Sequence, residues 1–579
     1  MRKRRPVAGR RLARERCGRV SARAHLVVLA GDEFLRRLDR HGGVAAVGVG
    51  ADGAAVQDSI DACVAQAWPY WHLEILGATI PRDAPPLRVG PRVRQHDAGT
   101  DLAALIDTLP GRYLLHLRAG DRLTPLALYA LAVAGVQAPD AVLLYADEDR
   151  LDARGLRCHP RLKSGWNPEL LESHDYVGVP AALCLRRVRD VGGWRAGHGS
   201  AAGYELLLRL TRERPGSDMI HVPLIGCSRP LDNEPKPDPT DLRRALQVRW
   251  ADRPGVEVSA GLRPDWLRLR RPLPTPAPRV SIIVPTRDGG DHLRVCVDSL
   301  LQLTDYPDYE LVLVDNQSRQ RATLDYLQDR ARDPRVRLMH FDSAFNFSAI
   351  CNQAAVQASG EVLLLLNDDT QVLHADWLRE MVSLAVRTQV GAVGAKLYFP
   401  DRTLQHGGVG LGIGGVAGHL HWGAPQHDDG YLGRLKAVQS IGAVTGACLA
   451  VCRHKFLAVG GMDAEHLRVA LNDIDLCLKL AERGWRCVWT PYAELIHHES
   501  KSRGRDTTPE KRALFAREHA VMRRRWLHRL GADPYYHPWL TRQYLDLRLA
   551  DAPPVHAPWW DDLPVAAADG QGQEKERSA

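Results

Sequence analysis

The chain has 579 residues, 45% of them hydrophobic and 25% charged, with 77 Lys and Arg against 69 Asp and Glu for a formal charge of +8. That balance excludes an intrinsically disordered chain, and 50 glycines without a Gly-X-Y period exclude collagen. No run of ~18 uncharged apolar residues occurs, so no membrane-spanning helix is expected, and the length allows two to four domains at ~150 residues each.

Residues 1–24, which begin MRKRRPVAGRRLARERCGR, lack the apolar core of a signal peptide and read as a flexible basic arm. Attraction to anionic lipid is the sharper reading, at about 1 kcal/mol per basic residue near such a surface. No aromatic interleaving or nucleic-acid motif accompanies the arm, so no nucleic acid is expected. The 11 cysteines follow no CxxC or framework spacing, which fits reduced thiols in a cytoplasmic protein; Cys448 and Cys452 read as small core residues.

Two similar units follow. AWPYWHLEIL (67–76) aligns with DYPDYELVLV (305–314), and VGGWRAG near Gly193 aligns with VGGMDAE near Gly461. This reads as an internal duplication of one α/β unit of roughly 220 to 250 residues, the first over 25–260. A linker at 261–278 contains the alternating Pro272, Pro274, Pro276 and Pro278, which forbid helix. The second unit covers 279–505. VSIIVPT (280–286), YELVLVDN (309–316), VRLMHF (336–341) and EVLLLLNDD (361–369) read as strands. Helices are expected at 292–303, 324–332, 349–358 and 376–386. Continuous apolar strands alternating with helices indicate a mainly parallel sheet covered on both faces, which binds ligands at the carboxyl ends of its strands. A helical extension with a disordered end closes the chain at 506–579.

Four motifs carry chemistry. Asp315 closes a buried strand, where its carboxylate can accept from the imide N–H of uracil or thymine, with Asn316 and Ser318 holding base or ribose; a turn or helix cap is the plainer role. Asp368 and Asp369 follow the most apolar strand. Adjacent carboxylates repel, so the pair calls for a cation or a strong donor, and a hard divalent ion bridging to a diphosphate meets that need. Asp473 and Asp475 open an amphipathic helix. Both suit the helix dipole, yet Asp473 at the mouth can also face a substrate hydroxyl as general base. His497 and His498 end a strand, and alternation turns only one of them toward a given site. GVGLGIGG near Gly410 reads as a flexible glycine-rich loop, not a dinucleotide fingerprint, and the nearby His406, His419, His421 and His427 do not read as a metal site.

Taken in order, VSIIVPTRD, LVLVDNQS, EVLLLLNDDT, TGACLAV, NDIDLCLKL and AELIHHES resemble the signature of family 2 glycosyltransferases, closest to rhamnosyltransferase-like members of the GT-A fold. The resemblance implies an α/β fold of tandem GT-A (nucleotide-diphospho-sugar transferase) domains. It maps the nucleotide pocket to Pro285, Thr286, Arg287, Asp315, Asn316 and Asp368. The divalent metal, Mg²⁺ or Mn²⁺, maps to Asp369 with His497 or His498, and the catalytic base to Asp473. Asn367 stands where a full acidic metal motif has its first carboxylate, and Asn472 where a Glu is usual. The implied activity is inverting transfer from a UDP- or dTDP-sugar to a polysaccharide, O-antigen or lipid-linked glycan, in a cytoplasmic protein with peripheral contact at the inner membrane. In the first unit Gly77, Asp121 and Gly203 occupy the places of Asp315, the metal motif and Asp473, so that unit reads as a degenerate, non-catalytic copy. A bifunctional transferase and a carbohydrate-binding scaffold are the competing readings.

Overall fold

The structure is a computed structural model and describes residues 44–49, 53–77, 90–97, 99–214, 216–231, 237–498 and 508–551. The expected basic arm and the end of the C-terminal extension lie outside the described residues. In the first half the strands are β1 (Val44–Val49), β2 (Trp71–Leu76), β3 (Val93–His96), β4 (Tyr113–Arg118), β5 (Arg122–Leu123), β6 (Leu143–Leu151), β7 (Arg157–Arg161), β8 (Ala181–Cys184) and β9 (Met219–Pro230). They form one sheet in the order β3-β2-β1-β4-β8-β6-β9-β5, with β7 added to β6. A hairpin of β10 (Glu257–Ala260) and β11 (Leu267–Arg270) runs from the end of the expected first unit into the expected linker.

The second half contains β12 (Val280–Thr286), β13 (Tyr309–Asp315), β14 (Val336–His340), β15 (Val362–Leu366), β16 (Thr370–Val372), β17 (Val390–Tyr398), β18 (Leu404–His406), β19 (Val409–Leu411), β20 (Ala417–His419), β21 (Gln439–Ile441), β22 (Cys448–Cys452) and β23 (Arg486–His497). Its main sheet runs β14-β13-β12-β15-β22-β17-β23-β16. Place by place this is the order of the first sheet, with β12 standing for β1, β15 for β4, β16 for β5 and β23 for β9. Strands β12, β13 and β15 are buried along their whole length because they are apolar on both faces.

The sheet is less parallel than the sequence suggests. β14, β13, β12 and β15 run parallel, but β22 is antiparallel to both β15 and β17. A parallel return needs a crossover, usually a helix. Between β17 and β22 the chain instead makes short strands, including the β19–β20 hairpin. That hairpin is the glycine-rich segment expected to be a flexible loop. Its first strand is buried and its second half-buried, and Leu411 donates its N–H to Asp533 of the C-terminal extension.

The halves are joined by buried polar contacts. Asn167 and Ser440 exchange hydrogen bonds of 2.9 and 2.8 Å. Glu169 lies 3.0 Å from both Arg387 and Arg486. Burial alone would raise the Glu169 carboxyl, but the charges of Arg486 and Arg387 outweigh it and hold it well below the usual range. Because the folded value lies below the unfolded one, this stabilisation is present above pH ~4.3 and is lost as the pH falls below it. Glu169→Gln leaves two arginines without their counter-charge and should cost about 3–5 kcal/mol. Denaturant unfolding of the full chain would measure the loss, which should shrink on acidification; an unchanged midpoint at neutral pH would contradict the account.

Candidate active site

The carboxyl ends of β12, β13 and β15 lie side by side, with Thr286 in register with Asp315. Asp315 is 4% exposed; its Oδ1 accepts from the Ser318 N–H at 3.1 Å and its Oδ2 lies 3.6 Å from His340. Asp288, at a positive φ of 51°, accepts from the Arg319 and Gln320 N–H groups at 2.8 Å each, which ties the loop after β12 to the loop after β13. Pro285 is buried and Arg287 exposed at this edge. Asn316 is turned inward. It is 1% exposed, and its amide donates to the Phe341 and Ser343 carbonyls at 2.9 and 2.8 Å, bracing the loop after β14.

Asp368 accepts from the Thr286 hydroxyl at 2.7 Å. Burial pushes its carboxyl up to about 6; the Thr286 bond pulls it back and the adjoining Asp369 charge pushes it further. Thr286 therefore reaches the site through Asp368, a link the sequence could not reveal. Asp369 is drawn in by pairing of β16 with β23, which sets Thr370 opposite His497. Asp369 Oδ1 then lies 3.0 Å from His497 Nε2. His498 donates its backbone N–H to the Asp369 carbonyl at 2.8 Å and turns its ring toward His292, 5.1 Å between ring centres.

The donor set fits a hard divalent ion. His497 Nδ1 is 2.7 Å from Gln405 Oε1, an acceptor, so Nδ1 carries the proton and Nε2 presents its lone pair. Asn367 Nδ2 donates to that nitrogen at 3.2 Å. A carboxylate oxygen and an imidazole lone pair 3.0 Å apart repel unless a cation or proton lies between them. Gln405 sits on β18, far from either motif in sequence, and nothing local marks it.

Asp473 is half-buried in the first turn of the helix Asn472–Glu482, behind Leu471, which has a left-handed φ of 60°. That conformation costs a non-glycine residue roughly 1–2 kcal/mol and must be held by its surroundings. Asp473 Oδ2 accepts from the Gly446 N–H and Oδ1 from the Ile474 N–H, both at 2.8 Å. Because Asn367 N–H donates to the neighbouring Ala447 carbonyl at 3.1 Å, the Gly446 strand end hangs Asp473 beside the Asp368–Asp369 loop. Asp475 differs entirely: it is fully buried and accepts from Arg525 at 2.7 Å and Trp526 Nε1 at 2.9 Å.

A second cluster, Asp147, His221 and His537, brings three ligand atoms within 4.8 Å. It fits a metal poorly. His537 Nδ1 accepts the Trp539 N–H at 3.1 Å, so the proton sits on Nε2 and is donated to Asp147 at 2.8 Å. His221 takes the other Asp147 oxygen at 2.9 Å, making the cluster a hydrogen-bonded clamp between the first half and the C-terminal extension. Among the glycine-rich histidines, His406 and His419 pair at 2.9 Å through their Nδ1 atoms and His427 is exposed.

Among the described residues, the equivalent edge of the first sheet carries different groups. β5 pairs with β9 so that Arg122 faces Ser228, as Thr370 faces His497. Asp121 is ion-paired with Arg229 at 2.8 Å. Gly77 follows β2, and Gly203 faces the rings of Trp194 and His116.

The parallel strand ends thus gather buried carboxylates and an imidazole, with a helix-borne aspartate held beside them through Gly446. Residues 281–422 match the model for glycosyl transferase family 2, so the chain carries a family 2 glycosyltransferase domain. It is 40% identical to the uncharacterized protein y4gI of Sinorhizobium fredii over 86% of this chain and 57% of that protein. It is 39% identical to the O-antigen biosynthesis protein RfbC of Myxococcus xanthus, over 76% of this chain and 35% of that one. It therefore spans about half or less of the length of these two relatives. It is also 27% identical to the N-acetylglucosaminyl-diphospho-decaprenol L-rhamnosyltransferase of Mycobacterium tuberculosis, over 39% of this chain and 78% of that enzyme. Among solved structures, a mannosyltransferase of Pyrobaculum calidifontis with GDP-mannose and Mn²⁺ overlays at a TM-score of 0.33 and 20% identity, over 48% of this chain and 69% of that one. No helix among the described residues is long and apolar enough to cross a membrane.

Proposed function

We propose that the second half is an inverting, metal-dependent glycosyltransferase that moves a sugar from a UDP- or dTDP-sugar to a hydroxyl of a polysaccharide, O-antigen or lipid-linked glycan. The observation that carries the reading is the gathering of Asp315, Asp368, Asp369, His497 and Asp473 at one sheet edge. The names of the Myxococcus and Mycobacterium relatives support the acceptor class.

Asp315 receives the imide N–H of the base. Asp473 takes the proton of the acceptor hydroxyl as that oxygen attacks the anomeric carbon; the bond to the diphosphate breaks, and the nucleotide diphosphate leaves with its electron pair. One displacement inverts the anomeric centre. Asp369 and His497 would hold a divalent ion, which supplies Lewis-acid charge to the departing diphosphate. The first half is read as a transferase-like domain without catalysis, because Ser228 stands in the register position of His497 and Asp121 is ion-paired with Arg229, one residue further on.

Incubating the full chain with a nucleotide-sugar panel, Mg²⁺ or Mn²⁺, and glycan or lipid-linked acceptors tests this directly. Release of nucleotide diphosphate that rises with acceptor and metal is the expected result. Binding of carbohydrate with no turnover of any donor would favour a scaffold instead.

A further inference from the structure

The C-terminal helix Pro509–Leu530 buries Glu518, Met522, Trp526 and Leu530, one residue per turn on a single face. Met522, Trp526 and Leu530 are apolar in bulk, but the first of the four is a carboxylate 1% exposed. A charge taken out of water persists only with strong donors. Glu518 has three: Oε1 accepts from the Arg468 and Val469 N–H groups at 2.7 and 3.1 Å, and Oε2 from the Ala470 N–H at 2.7 Å. These backbone groups belong to the segment that leads through left-handed Leu471 into Asn472 and Asp473. From the other side the Asn472 amide donates to the Ser348 hydroxyl at 3.1 Å, and that hydroxyl donates to the Leu467 carbonyl at 2.5 Å.

We propose that Glu518 is a positioning residue for the transfer reaction: it fixes the 468–471 segment and thereby aims the Asp473 carboxylate. The inference rests on the reading of Asp473 as the base. Two carboxylate oxygens serve three N–H donors here, and the helix that supplies them lies outside the 281–422 family match. Glutamine at this position offers one acceptor oxygen and turns an NH₂ group against an N–H.

The test uses the full chain with Glu518→Gln, Glu518→Asp, Asp473→Asn and the double variant Glu518→Gln/Asp473→Asn. Glu518→Gln should lower kcat by about 10- to 100-fold, the scale of a misplaced catalytic group. Donor KM and nucleotide-diphosphate affinity should stay within about twofold, with faster amide hydrogen exchange at residues 468–470. The double variant should be no slower than Asp473→Asn alone. Should Glu518→Gln not fold, Glu518→Asp keeps both oxygens at a shorter reach and should still lower kcat without moving donor KM. Unchanged kcat in a folded variant, or a loss that tracks donor affinity or folded fraction, overturns the proposal. Near-normal transfer by Asp473→Asn sinks the base reading itself, and this inference with it.

Discussion

An Asp473→Asn chain is expected to transfer sugar at least ~10²-fold more slowly while binding donor almost as before, since general-base help is typically worth ~10²- to 10⁴-fold. The substitution keeps size and removes basicity. Its structural cost is small but specific. Asp473 accepts one N–H with each oxygen, from Ile474 and Gly446, and asparagine can serve only one of them. Losing one such bond costs about 0.5–1.5 kcal/mol, and the weakened helix-dipole term about 0.3–1 kcal/mol more. Transfer rates with saturating donor, beside calorimetric nucleotide-diphosphate binding, would separate chemistry from affinity. Near-normal transfer, or donor binding lost in proportion to rate, would mark the carboxylate as structural. Asp475, two residues away on the same helix, is not a neutral control. Fully buried against Arg525 and Trp526, its asparagine variant should lose stability before activity.

The second large effect is expected at the metal. Asp369→Asn should abolish the metal-dependent part of nucleotide-diphosphate binding, and His497→Ala should weaken it by more than the ~10–100-fold typical of an outer-shell residue. Gln405→Leu should fall within that 10–100-fold range, because it frees the His497 ring without removing a ligand. His498→Ala should leave metal-dependent binding in place and act on stability, since its ring faces His292. Titration of the full chain with UDP or dTDP at fixed Mn²⁺ measures all four. The full chain is required because Glu169, Arg387 and Arg486 join the halves through buried charge, so a separated second half would expose unpaired arginines. Binding that is indifferent to Asp369→Asn would remove this loop from the metal site. An effect from His498→Ala larger than from His497→Ala would exchange their roles.

Much of this architecture is local and was legible in the chain itself. Val280–Thr286, Tyr309–Asp315 and Val362–Leu366 become buried strands because each is a short, continuous apolar run, a property that needs no partner to be read. The polar residues that end those runs, Asp315 and Asn367 to Asp369, must then lie at one edge of a parallel sheet, and the helix start at Asp473 follows from its amphipathic spacing. Register and long-range closure were not legible, because they depend on residues tens to hundreds of positions apart. Pairing of β16 with β23 selects His497 to meet Asp369, β18 delivers Gln405 to its other nitrogen, and Thr286 reaches Asp368 across the sheet. Asn316 turned inward because the carbonyls of the loop after β14 needed its amide. The reversal of β22 and the pairing of the glycine-rich segment into a hairpin were likewise decided by what packs against them, including Asp533 of the C-terminal extension. Hydrophobic pattern alone thus determined the central strands β12, β13 and β15 and which side chains stood at their ends. The tertiary structure decided which of those side chains face one another, because a hydrogen bond or ion pair exists only when distant elements bring both partners within about 3 Å.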